Sequence, residues 1–126
     1  MKKYLLDVNV LLVLCHGGPL DTRLQTWLAA QREAHYHTCA ITELGFLRIS
    51  MARYKHTRET AEKALAYAKR DITGYIDTMP PPRLAKWVLS HAQTTDSYLC
   101  QLAAAHGMQL LTLDDGIKDK AAMIIP

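Results

Sequence analysis

The sequence predicts an α/β domain built on a mostly parallel central sheet of four or five strands flanked by helices. Short apolar runs suited to buried strands, at residues 3–7 and 109–113, are separated by longer stretches with helical periodicity. Both runs deliver an aspartate at their far end, Asp7 and Asp114, where open parallel sheets form their sites. The 126 residues, 49% of them apolar and 21% charged, suffice for one well-buried core. A single domain over residues 1–126 follows.

The first strand, residues 3–7, runs into Val8, and 8–15 reads as a short helix or an extended turn. His16-Gly17-Gly18-Pro19 breaks it. Leu20, Leu24, Trp27 and Leu28 recur at helical spacing and predict a helix over 20–33. A short strand at 35–39 leads into a helix over 40–53, with Phe46, Leu47 and Ile49 as its apolar positions. Thr57 suits an N-cap, and Ala61, Ala64, Leu65, Ala68 and Ile72 mark a helix over 58–72 that Gly74 ends. Residues 75–79 form a short extended piece, and Pro80-Pro81-Pro82 is a rigid connector. A short helix over 83–91 would turn Leu84, Trp87 and Val88 inward. The last long helix opens at Gln93-Thr94-Thr95-Asp96, with Thr94 or Thr95 as cap, and ends at Gly107. After the strand at 109–113, a final short strand spans 122–125.

The net charge of +3 is unevenly spread. Arg48, Arg53, Lys55, Arg58, Lys63, Lys69 and Arg70 face only Glu59 and Glu62 between positions 48 and 70. This stretch is either a phosphate-facing surface or a solvated helical face. The three cysteines, Cys15, Cys39 and Cys100, have no zinc-type spacing and fit free thiols in a reducing cytoplasm. Asp7 and Asn9 interrupt the first apolar run, and Leu14 stands before Cys15 where an export signal needs a small residue. No apolar run approaches the roughly 20 residues of a membrane span.

A carboxylate inside an apolar run is costly unless it is hydrogen-bonded, protonated or bound to a cation. Asp7 is therefore the leading candidate site residue. Glu43 and Asp96 both fall in first turns of predicted helices, where the helix dipole favours a negative charge. In a doubly wound sheet those turns share an edge with Asp7 and Asp114, so four acids from distant stretches can converge. Close carboxylates stay ionised together only around a cation, and an oxygen-only set suits Mg²⁺ or Mn²⁺. Together with a basic surface, this points to metal-assisted phosphodiester hydrolysis. The histidines do not cluster.

Four motifs in order carry a resemblance over nearly the whole chain. Leu6-Asp7-Val8-Asn9-Val10-Leu11 resembles the D-x-N opening of PIN-domain ribonucleases. Thr42-Glu43-Leu44 with Phe46-Leu47-Arg48 resembles their helix-borne glutamate. Thr95-Asp96-Ser97-Tyr98-Leu99 resembles the third acidic motif, and Thr112-Leu113-Asp114 the closing T-x-D strand. Size and motif style resemble the VapC-type toxins. The resemblance implies a PIN-like three-layer fold and a Mg²⁺-dependent endoribonuclease, with Asp7, Glu43, Asp96 and Asp114 as the catalytic and metal-holding acids. It also implies Asn9 and Thr112 as polar supports, a homodimer and a cognate antitoxin. Asp115 adjoins Asp114, and the T-x-D spacing selects Asp114 for the metal. Arg48, Arg53, Lys55 and Arg58 are the candidate RNA contacts. Two alternatives are a catalytically silent PIN-like module that only binds RNA or protein, and a receiver-type phosphorylation domain. Against the latter, the acidic pair of this chain lies near its C-terminus rather than after the first strand, and no lysine closes a final strand motif.

Overall fold

The computed structural model describes residues 2–126. Its sheet has five strands, all parallel, in the order β3-β2-β1-β4-β5. These are β1 (Lys2–Leu6), β2 (Ala34–Cys39), β3 (Gly74–Ile76), β4 (Gln109–Thr112) and β5 (Ala122–Ile124). The central β1 is buried on both faces because its side chains alternate. Tyr4 and Leu6 join Val10, Leu11, Leu24, Trp27 and Phe46 in one core, while Leu5 joins Leu99, Leu102 and Leu110 in the other. Helices α1 (Val8–His16), α2 (Asp21–Ala30), α3 (Ala40–Arg53) and α4 (Arg58–Ala68) cover the first face, and α5 (Thr94–Ala105) covers the second. The result is a three-layer α/β/α arrangement. Among the described residues, no helix is long and apolar enough to cross a membrane. All three cysteines are free, with Cys39 and Cys100 buried.

Residues 8–16 form a helix because Asp7 caps it, accepting the Val8 N–H at 2.7 Å. Thr57 caps α4 as expected, accepting from the Thr60 N–H. Several boundaries differ from the sequence expectation. Helix α2 stops at Ala30, since the chain must straighten to pair with β1, and Glu33 already accepts the Lys2 N–H. Helix α4 stops at Ala68 rather than near 72. Gly74 opens β3 instead of ending a helix. It pairs with His37, whose ring fills the space a Cβ would occupy, 2.2 Å from Cδ2.

The expected helix over 83–91 does not form. Several of its backbone N–H groups are taken by side chains of other elements. Arg83 donates to Gln101 Oε1, Ala85 to Ser97 Oγ, and Leu89 to Gln93 Oε1. Trp87 does point inward, its Nε1 donating to Asp119 Oδ2 at 2.9 Å, but Leu84 is exposed. Neither Thr94 nor Thr95 caps α5. A 3-10 turn at His91–Gln93 leads into the helix, and the Thr94 hydroxyl donates back to His91 O.

Candidate active site

The order β3-β2-β1-β4-β5 places a topological switch point between β1 and β4, where chain connections diverge and open sheets form crevices. Asp7 follows β1 directly, and Asp114 stands two residues beyond the end of β4. Pairing of Leu6 with Leu111 aligns the two strand ends, and the Asp7 N–H donates to Leu111 O at 2.9 Å.

Asp7 is only 5% exposed. Its Oδ1 accepts from Val8 N, and its Oδ2 accepts from Thr112 Oγ1 at 2.8 Å and Asn9 Nδ2 at 3.4 Å. Thr112 Oγ1 accepts in turn from Asn9 Nδ2 and from the Asp114 N–H. Asn9 Oδ1 accepts from the Leu113 N–H at 3.1 Å. Asn9 and Thr112 thus tie the end of β4 to Asp7 and orient its carboxylate. Burial raises the Asp7 pKa above the usual range; the bonds from Thr112 and Val8 oppose this, and the Asp114 charge adds to it.

Asp96 lies in the first turn of α5. Burial, followed by the charges of Asp7 and Asp114, pushes its carboxyl up to about 6. Three acids from three distant stretches therefore share one electrostatic neighbourhood. Asp114, and not Asp115, is the charge felt there. Asp114 Oδ1 accepts from the Gly116 N–H, closing a turn, while Asp115 is exposed and offers its carbonyl to Lys118 Nζ. The nearby Cys100 thiol is pushed up to about 12 by burial and by Asp119, Asp7 and Asp96, so it is no nucleophile at neutral pH.

Glu43 stands apart from this trio. Its Oε2 accepts from Thr38 Oγ1 at 2.5 Å and pairs with Lys69 Nζ at 2.7 Å. It is not among the charges that shift Asp7 or Asp96. It does sit at the same sheet edge, since Thr42, its neighbour in α3, donates to Leu6 O at 3.0 Å. Sequence reasoning missed both partners. Lys69 was visible only as one of a run of basic residues, and nothing local links it to Glu43.

Of the candidate RNA contacts, Arg48 is exposed on α3, and Arg53, Lys55 and Arg58 are exposed at the α3–α4 turn. That turn lies about 15 Å along α3 from Glu43 at 1.5 Å per residue. Arg58 also pairs with Glu62 across one helical turn at 3.6 Å.

The donor set fits a hard cation. It contains only carboxylate oxygens, and among the described residues no salt bridge compensates Asp7, Asp96 or Asp114. Among the described residues, no three His, Cys, Asp or Glu side chains stand together closely enough to hold a metal ion as placed. Carboxylate oxygens are hard donors of the kind Mg²⁺ accepts, through one or two of them with several waters retained.

The PIN domain family model matches residues 4–123, a span that includes all four acids. The chain is 35% identical over 123 residues to Ribonuclease VapC44 of Mycobacterium tuberculosis, covering 90% of this chain and 87% of that protein. It is 33% identical over 133 residues to Ribonuclease VapC39 of the same species, covering 94% and 93%. For Ribonuclease VapC38, also from that species, the identity is 28% over 127 residues, covering 90% and 86%.

Proposed function

The chain belongs to the PIN domain family, and from that premise we propose that it is a Mg²⁺-dependent endoribonuclease, the toxin of a VapBC-type pair. The observation that carries this proposal is that Thr112 ties Asp7 and Asp114 together at the switch point of the sheet, where both of their charges bear on Asp96. The names of the relatives support RNA as the substrate class.

A divalent cation at this edge would neutralise charge on the phosphate oxygens and ease ionisation of the attacking water. The chain's own part is positional. Asp7 offers a carboxylate whose direction is fixed by Val8, Thr112 and Asn9, so little reorganisation is needed during reaction. Asp96 sits at the N-terminus of α5, where the helix dipole supports negative charge. Asp114 is held by its turn. Glu43 supplies a further acceptor on the same edge, and Mn²⁺ would substitute for Mg²⁺. Arg48, Arg53, Lys55 and Arg58 guide RNA phosphates. The functional unit is a homodimer, silenced by a cognate antitoxin, in the cytoplasm.

Purified full-length chain with an RNA oligonucleotide tests this. Cleavage is expected in Mg²⁺ and not in EDTA, with a loss of at least about 10²-fold for Asp7→Asn or Asp96→Asn. Wild-type rates in either variant, or undiminished cleavage in EDTA, would remove the assignment.

A further inference from the structure

Among the described residues, the Glu43–Lys69 contact is the only ion pair made by a candidate site acid. Its geometry is well constrained. The lysine side chain is 30% exposed and the glutamate side chain 16% exposed. Lys69 is the C-cap residue of α4, with its N–H bonded back to Leu65 O and the next N–H, of Arg70, to Tyr67 O. Its ammonium also lies 5.8 Å from the Tyr75 ring centroid. A positive charge is favoured at a helix C-terminus. Helices α3 and α4 form an antiparallel hairpin, so the last residue of α4 returns to the first turn of α3.

Both partners meet Glu43 on the same oxygen. Oε2 takes the Lys69 ammonium and the Thr38 hydroxyl, which leaves Oε1 to accept any further hydrogen bond. An ionised carboxylate held by a lysine contributes little net charge to its surroundings. The four acids are therefore not equivalent. Three are uncompensated, and one is neutralised by the fold itself.

We propose that Lys69 is a positioning residue that withholds Glu43 from the cation's ligand set and aims its Oε1 at the attacking water. This inference rests on the ribonuclease reading above. The ammonium limits the pull of the site on a divalent ion, and the hydroxyl of Thr38 fixes the rotation of the carboxylate. Without Lys69, Glu43 becomes a fourth free carboxylate on the same edge. Two consequences follow in opposite directions: tighter cation binding and slower turnover.

The test uses full-length wild type, Lys69→Met, Lys69→Gln, Lys69→Arg, Glu43→Gln and the Glu43→Gln/Lys69→Met double variant. Mn²⁺ affinity is measured by calorimetry, kcat and KM on an RNA oligonucleotide in Mg²⁺, and the melting temperature alongside. Lys69→Met and Lys69→Gln should bind Mn²⁺ about 3–10-fold more tightly, as expected for loss of a nearby positive charge. Their kcat should fall at least about 10-fold with KM little changed, and Lys69→Arg should restore both values. Once Glu43 is Gln, losing Lys69 should cost nothing more. Mn²⁺ affinity unchanged in both uncharged variants would overturn the proposal, as would additive losses in the double variant. If wild type does not cleave RNA in Mg²⁺, the ribonuclease reading fails by itself, while the Mn²⁺ affinities still decide whether Lys69 restrains the site.

Discussion

Asp96 shows at single-residue scale what the site's charge does to the protein. Its carboxyl sits at about 6 in the fold against an ordinary value of 3.8, through burial and then through Asp7 and Asp114. A raised folded pKa stabilises the fold below the unfolded value, and that contribution is lost as pH rises through about 6. At pH 7 without a cation, the ionised Asp96 therefore works against folding. Because the group is only half-buried, screening leaves an effect on the order of 1 kcal/mol. Asp96→Asn should raise the melting temperature of the cation-free protein at pH 7 by about 2–5 °C and flatten its change between pH 4 and 6. Thermal melts in EDTA across that range check this, and a lower melting temperature for the variant would contradict it. Asp7 was legible in the sequence for the same reason, because a single acid interrupting an apolar run needs compensation. Thr112 was legible through its spacing to Asp114. Lys69 and Thr38 were not, since a hairpin of two helices and a strand end bring them to Glu43.

At the scale of elements, the placement of the acids depends on α1 and α3 crossing closely beside β1. Gly45 makes this possible. A Cβ there would lie 2.6 Å from Val8 Cγ2, inside any real contact distance. Gly45→Ala should destabilise the protein by about 1–3 kcal/mol, and adding Val8→Ala should recover part of the loss. Denaturant unfolding of the two single variants and the double variant measures this; additive losses would contradict it. Periodicity found most elements, because β1, β4, α3 and α5 carry buried residues at strand or helix spacing. It failed at 83–91, where Leu84, Trp87 and Val88 match a helical period. There Gln101, Ser97 and Gln93 take the backbone N–H groups, and no local pattern records that competition. Similarly, Ile72 extended the apparent period of α4 although it packs from a turn.

For the whole molecule, charge is segregated. Acids line the C-terminal edge of the sheet, and Arg53, Lys55 and Arg58 crowd the distant α3–α4 turn. Neutralising those three together should weaken RNA binding and reduce the slope of log affinity against log salt by up to about 2, with kcat at saturating RNA retained. Filter binding over a salt series checks this, and an unchanged slope would remove the turn from the RNA path. The central claim, however, concerns where a divalent ion sits. Substoichiometric Mn²⁺ added to isotope-labelled protein broadens amide signals close to the ion. Broadening should concentrate at Asp7, Asp96 and Asp114, spare the turn around Lys55, and vanish in Asp7→Asn. Signals lost elsewhere, or the same broadening without the Asp7 carboxylate, would contradict the account.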